Sequence, residues 1–221
     1  MKKILVIAPH PDDEVLGCGG TIKKHINAGD EVFVCAVTKS YAPDWTEEYI
    51  QTEMEEFKKA AQFMGIKEIF SLDLPAVKLD LVGQKKLNDM IMEIALKVKP
   101  EIMYIPFYGD INSDHRLISE ACLVVARPKP GSCIKKVLAY EVLSETEWGS
   151  PALVPFVPTV YQDISTTIKD KLGAMACYQS QLIPYPHPRS LETLEVLAKK
   201  RGTEVGLPYA EAFMLMRDIN Q

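Results

Sequence analysis

Apolar residues arrive along this chain in short unbroken runs that alternate with longer segments in which they are spaced three or four positions apart. The first run, 2–9 (KKILVIAP), has strand length, and 14–29 follows with spaced apolar residues up to Gly29, which suits a helix stop. The unit repeats: the strand-like 31–38 (EVFVCAVT) precedes a helical 46–65 with Thr46 near its cap and Gly65 at its end. A third strand at 68–75, a helix over 81–100 stopped by Pro100, a fourth strand at 101–107 and a helix over 114–127 continue the rhythm. Strands alternating with helices predict an α/β fold of Rossmann-like topology, with a mostly parallel sheet and helices on both faces.

The rhythm loosens after Gly131. A strand is expected near 135–143, then a loop too rich in proline for a helix, containing Trp148, Pro151, Pro155 and Pro158. Helices are expected over 165–178 and 190–201, the second capped by Ser190, with a stiff loop 183–189 (IPYPHPR) between them. The last apolar run, 210–217, fits a strand or a helix, and we read it as a strand. No repeat, low-complexity tract or linker interrupts the chain, so 1–221 is expected to be one domain with a less regular C-terminal part.

Composition narrows the function classes. With 221 residues and 47% hydrophobic content, the chain can close one sizeable core. A net charge of −5 argues against a footprint for nucleic acid or anionic lipid and favours a small or neutral substrate. The N-terminal apolar run is too short for a signal peptide or anchor, and no later segment reaches bilayer length, so no membrane span is expected. The five cysteines (Cys18, Cys35, Cys122, Cys133, Cys177) form no C-x-x-C pair, and reduced thiols in a cytoplasmic protein are expected. Oligomeric state, a homo-oligomer included, is left open.

The chemistry concentrates where the first apolar run ends, in 6–20 (VIAPHPDDEVLGCGG). His10, Asp12, Asp13 and Glu14 stand at the tip of a buried-looking strand, where unpaired charge is costly to desolvate. Ligands of parallel α/β sheets bind beyond the carboxyl ends of the strands; in a 3-2-1-4-5 order, the crevice lies between the first and fourth. The loop after the fourth strand, 108–116 (YGDINSDHR), brings Asp110, Asp114 and His115 to the same place. So many carboxylates repel one another unless a cation or protons relieve them. His10, Asp13 and His115 can supply the three protein ligands that catalytic zinc typically keeps. The bland alternative, solvated loop acids with two surface histidines, sits poorly with this paired placement. Gly17, Gly19 and Gly20 lack the dinucleotide-binding spacing, and the acids at the turn would repel pyrophosphate, so these glycines are expected to pack the first helix closely against the sheet.

The segments 8–22 (APHPDDEVLGCGGTI), 114–116 (DHR) and 211–213 (EAF) closely resemble the LmbE/PIG-L-like zinc-dependent N-deacetylases. The likeness runs along nearly the whole chain, since 56–65, the Tyr140-Glu141 pair and 188–190 (PRS) share it. That family acts on N-acetylglucosamine-type substrates. The resemblance implies Zn2+ held by His10, Asp13 and His115, Asp12 as general base, and a small N-acetyl sugar or sugar conjugate as the partner. Many members carry a histidine three positions before the last ligand. Asn112 stands there in this chain, and an asparagine can donate a hydrogen bond but cannot deliver a proton. Asp12 is therefore expected both to take the water's proton and to pass it on, with Asn112 donating to the oxyanion and Asp110 and Asp114 orienting Asn112 or His115. A non-catalytic carbohydrate-binding or regulatory module with a retained metal pocket is the rival reading.

Arg116, Glu141 and His187 are candidate substrate contacts, His187 as a replacement for the missing histidine. Their plain readings are a salt bridge for Arg116 and an exposed loop residue for His187. Arg189 stands open between a substrate contact and a salt bridge. Trp148 and Tyr185 are candidates to stack on a sugar face. His25 is expected to be solvated, and Lys199, Lys200 and Arg201 to suit a helix C-terminus without further role.

Overall fold

The computed structural model describes residues 1–150 and 154–220. Five strands, β1 (Lys3–Ala8), β2 (Glu31–Lys39), β3 (Glu68–Pro75), β4 (Ile102–Pro106) and β5 (Lys136–Tyr140), pair in parallel in the expected order 3-2-1-4-5. Helices α1 (Asp13–Asn27), α2 (Glu47–Met64), α3 (Gln84–Val98) and α4 (Ser113–Val125) connect them. Beyond β5 the sheet continues through β7 (Ala210–Asp218) to β6 (Val160–Asp163), both pairings antiparallel. The helices α5 (Ile168–Met175) and α6 (Leu191–Thr203) lie between β6 and β7 in the chain.

β1 shows why the strands read as unbroken apolar runs. Ile4, Val6 and Ala8 pack with residues of α1 and α2, among them Leu16, Ile22 and Phe57, on one face. Leu5 and Ile7 pack with Leu87 and Ile91 of α3 and Ile118 of α4 on the other. Burial on both faces removes the polar alternation of a half-exposed strand. The helix limits follow local chemistry. Thr46 accepts a hydrogen bond from Tyr49 N at 3.2 Å to start α2, and Gly65, at φ 84°, ends it in the left-handed conformation that glycine adopts without strain.

Several boundaries differ from expectation. α3 begins only at Gln84, after a 3-10 turn at Leu79–Leu81, and α5 fills only the middle of the expected 165–178. β6 lies just after the proline-rich loop and was not anticipated: four residues leave no periodicity to read, and pairing with β7 makes them a strand. β7 itself is a strand as read, hydrogen-bonded on both sides. Pro151 lies outside the described residues. All five cysteines are free, and no described helix is long and apolar enough to cross a membrane.

α1 is broken at Cys18 (φ −142°, ψ 22°). The buried Lys171 donates to Leu16 O at 2.8 Å before the break, and Glu211 accepts from Gly20 N at 2.9 Å and Thr21 N at 2.7 Å after it. The two side chains also form an ion pair, so α5 and β7 together satisfy backbone groups freed by the kink. Gly17 packs α1 closely against the sheet, as read, whereas Gly19 and Gly20 pack against Lys171 of α5 and Ile164, just past β6. A Cβ on Gly17 would stand 2.1 Å from Tyr140 Cδ2 of β5, and one on Gly20 2.8 Å from Ile164.

Candidate active site

The chain leaves β1 at Ala8 and turns through His10 and Pro11 to Asp12, the N-cap of α1. Asp12 sits at φ 118°, a backbone conformation that costs a non-glycine residue roughly 1–3 kcal/mol and persists only where its surroundings impose it. Its carbonyl accepts from Val15 N and Leu16 N at 3.0 and 2.9 Å, and its own N–H donates to Glu14 Oε2 at 3.2 Å. The other Glu14 oxygen accepts from Tyr178 OH at 2.5 Å. Burial pushes the Glu14 carboxyl up to about 7 against the opposing pull of that hydrogen bond.

His10, Asp13 and His115 each present one donor atom, and the three atoms lie within 4.8 Å of one another. His115 is fully buried; its Nδ1 bonds to Asp110 Oδ2 at 2.8 Å, which leaves Nε2 facing Asp13 Oδ2 at 3.3 Å. Among the described residues, His115 Nε2 and Asp13 Oδ1 have no hydrogen-bond partner. Buried polar atoms are seldom left so, and this imidazole nitrogen and carboxylate oxygen fit a divalent metal ion. The His10 ring stands 3.2 Å from Asp13 Oδ2 and 3.3 Å from Asp114 Oδ2. Electrostatics agree. Burial alone would lower His10, yet hydrogen bonds to Asp114 and Asp13 raise it to about 9. Burial likewise opposes charge on His115 and Asp13, yet Asp13 and Asp110 hold His115 well above its usual range, while His115 and His10 hold Asp13 below the carboxylate range. The cluster stabilises positive charge at one point.

Beside these atoms opens a cleft of about 140 Å³ whose walls include His10, Asp12, Asn112, Glu145 and Arg189. The Arg189 guanidinium organises one wall. Its Nη1 lies 3.4 Å from Asp12 Oδ2 and donates to Gln181 Oε1 at 3.1 Å, its Nε donates to Ser144 Oγ at 2.8 Å, and its Nη2 lies 3.5 Å from Glu145 Oε1. Burial pushes Asp12 well above the usual carboxylate range, with Arg189 opposing.

The structure brings most of the expected residues together. Asn112 lines the cleft and also caps α4, its Oδ1 accepting from Asp114 N at 3.0 Å. Asp110 orients His115 and accepts from Thr146 Oγ1 at 2.6 Å through its second oxygen. Asp114 bonds to His10 and also accepts from Val77 N at 2.6 Å, which ties the β3–α3 connection to the site. Others stand apart from the cleft walls. Arg116 is exposed and lines a separate cavity of about 310 Å³ with Tyr108 and Trp148. Glu141 is paired with Arg201 by two hydrogen bonds of 2.7 and 2.6 Å, which also gives Arg201 a role beyond suiting the helix end. His187 Nδ1 accepts from Arg189 N at 3.1 Å and its ring meets Trp148 edge-on, so it braces the Arg189 loop. Tyr185 is exposed, and the aromatic residues on the cleft wall are Trp45 and Tyr49. His25 is not solvated: its ring bonds Asp30 at 2.9 Å and Tyr104 OH at 3.0 Å. Sequence reasoning missed Glu145, Trp45 and Tyr49, which carry no pattern of their own, and left the Asp12 partner of Arg189 unnamed.

A family model described as PIG-L: GlcNAc-PI de-N-acetylase matches residues 5–126. A diacetylchitobiose deacetylase from Thermococcus kodakarensis is 28% identical over 237 residues, covering 99% of this chain and 85% of that relative. Among solved structures, an N,N'-diacetylchitobiose deacetylase from Pyrococcus horikoshii matches with a TM-score of 0.79 at 23% identity, over 98% of this chain and 84% of that one. A 4-carboxy-2-hydroxymuconate hydratase from Pseudomonas putida matches with a TM-score of 0.76 at 20% identity, over 100% of this chain and 98% of that one. The same fold thus carries a hydratase, and the reaction has to be argued from the site.

Proposed function

The chain belongs to the PIG-L family of de-N-acetylases, and from that premise we propose that it hydrolyses the acetamide of a small N-acetylated amino sugar or its conjugate, releasing acetate and a free amine, with zinc held by His10, Asp13 and His115. One observation carries the reading: two buried, unpartnered donor atoms, His115 Nε2 and Asp13 Oδ1, belong to a three-residue cluster beside a cleft that also holds the carboxylate of Asp12. A zinc ion bound there would act as a Lewis acid on the acetamide carbonyl and lower the pKa of water. Asp12, set by the strained turn and held by Arg189, takes the proton of the attacking water. Asn112 has its Oδ1 engaged with Asp114 N, which leaves its Nδ2 to donate to the developing oxyanion. Trp45 and Tyr49 offer an apolar wall for a sugar face. Five unbridged cysteines suit a reducing compartment, and we place the protein in the cytoplasm.

The test is turnover. Zinc-loaded protein is incubated with N-acetyl sugars, nucleotide sugars and glycosides, and new primary amine is measured. Elemental analysis should find about one transition-metal ion per chain. His115→Ala should lose that ion, whereas Asp12→Asn should keep it and lose roughly 10²–10⁴ in turnover. An Asp12→Asn variant as fast as the parent would overturn the base assignment. A metal-loaded parent that releases no amine from any of these substrates would favour the rival binding module.

A further inference from the structure

We propose that Glu145 is a second catalytic carboxylate, the acid that protonates the departing amine; the role rests on the deacetylase reading above. Three carboxylates line the cleft among the described residues: Asp12, Glu53 and Glu145. Glu53 is fully engaged, its two oxygens accepting from Ser40 N at 3.2 Å and Ser40 Oγ at 2.8 Å. Asp12 serves the water, and the second half of the double role expected of it from the sequence passes to Glu145. Among the described residues Glu145 makes one loose side-chain contact, Oε1 to Arg189 Nη2 at 3.5 Å, which leaves its carboxyl available to a ligand in the cleft.

Its backbone is held firmly. Glu145 O accepts from Ile111 N at 3.2 Å, directly beside Asn112, and its N donates to Val142 O at 3.2 Å. The next residue, Thr146, donates to Asp110, the partner of His115. The preceding Ser144, at φ 71°, accepts from Arg189 Nε. Glu145 is therefore built into the same rigid frame as His115 and Asn112. Arg189 completes the arrangement, because its planar fork sets Asp12 on one terminal nitrogen and Glu145 on the other. Two carboxylates with separate tasks face one cleft, and Asn112, where the family often has histidine, supplies no proton.

Burial pushes Glu145 up, and Asp13 adds to this, while His115, Arg189 and His10 pull it down. The net direction is upward, as it is for Asp12, and the place of Asp12 beside the His10, Asp13 and His115 cluster assigns it to the water and leaves the part of proton donor to Glu145. In the step itself, water's oxygen bonds to the acetamide carbon as Asp12 takes one of its protons. The C–N bond then breaks, its electron pair passes to nitrogen, and that nitrogen takes the proton of Glu145. The products are acetic acid and the amine, and the proton on Asp12 returns to Glu145 through cleft water for the next cycle.

The experiment compares parent and Glu145→Gln on whichever N-acetyl sugar the parent turns over, across pH, with metal content and melting temperature measured beside the rates. Glu145→Gln should keep its metal, melt near the parent, lose roughly 10²–10⁴ in kcat with little change in KM, and lose the fall in rate on the alkaline side. Glu145→Asp, a shorter acid, should retain that alkaline fall at a reduced rate. A Glu145→Gln variant that matches the parent, or one that is slower but keeps the same alkaline fall, overturns the role. If Glu145→Gln does not fold, Glu145→Asp decides alone: loss of the alkaline fall in that variant overturns the role. A parent that turns over none of the sugars overturns the deacetylase reading and this role with it, so the two failures are told apart by the parent alone.

Discussion

The loops after β1 and β4 and the last third of the chain build one cleft by different means. In the two loops the chemistry is local: His10 and Asp13 are three positions apart, Asp110 and His115 five, and each pair carries its own hydrogen bond. The last third acts at long range. Arg189 meets Asp12 across 177 positions, Lys171 meets Leu16 across 155, and Glu211 meets Gly20 and Thr21 across 191 and 190. Donor atoms can thus be set by spacing within one turn, whereas the groups that hold those turns in place act only once the sheet has closed through β7. The loops after β1 and β4 supply the candidate metal ligands and Asp12, and the C-terminal third holds them in place.

The sharpest test of that division is Lys171. Lys171 and Glu211 are only 3% and 4% exposed, and together they bridge the break in α1 just past Asp13 and Glu14. Lys171→Met leaves a buried carboxylate without its cation and should cost about 3–5 kcal/mol of folding stability, read as a lower urea midpoint with an unchanged slope. Adding Glu211→Gln should recover part of the loss, because the amide is neutral and its oxygen can still accept from Gly20 N or Thr21 N. A Lys171→Met protein as stable as the parent would mean that the long-range pair does not hold α1, and the comparison would fail.

Asn112 tests the local side, because it does two things at once: its oxygen caps α4 and its amide nitrogen is assigned to the oxyanion. The two can be separated. Asn112→Ser keeps a good N-cap acceptor and withdraws the amide donor, so it should melt near the parent while turnover falls about 10²–10³ with metal content intact. Asn112→His does the reverse: it should lose about 1 kcal/mol of stability with the cap while keeping substantial activity through an imidazole donor. If Asn112→Ser is fully active, the residue is only a cap.

The same division explains what could be read from the sequence. The 3-2-1-4-5 order and the gathering of His10, Asp13 and His115 follow from apolar runs, glycine stops and two short acidic loops, all of them local signals. β7 was legible as a run but ambiguous as an element, because only pairing on both sides makes it a strand. β6 is too short to show a period. His25 looked solvated beside Lys23 and Lys24, yet the chain folds back to give it Asp30 and Tyr104. Glu141 was a candidate for a ligand contact, and the structure pairs it with Arg201, 60 positions on, a partner that no pattern near Glu141 announces. Residues whose roles depend on distant partners are the ones that were misread or left open.

The smallest expected effect lies where local and long-range chemistry meet, at Ser190. Its Oγ accepts from Thr193 N at 3.0 Å and caps α6 immediately after Arg189. Ser190→Ala should cost about 1 kcal/mol, read by denaturant unfolding. Turnover should stay near the parent's, because Arg189 has other anchors. Its N–H bonds to His187 Nδ1, its carbonyl accepts from Ile183 N at 3.3 Å, and its guanidinium is held by Ser144 and Gln181. The contrast with Asn112 is direct, since one cap lines the cleft and is assigned a part in the reaction while the other belongs to the frame. A Ser190→Ala variant that lost turnover out of proportion to its stability would show that the helix cap itself aims Arg189 at Asp12. In that event the C-terminal third would be positioning Asp12 by the same local means as the loops that carry the proposed metal ligands.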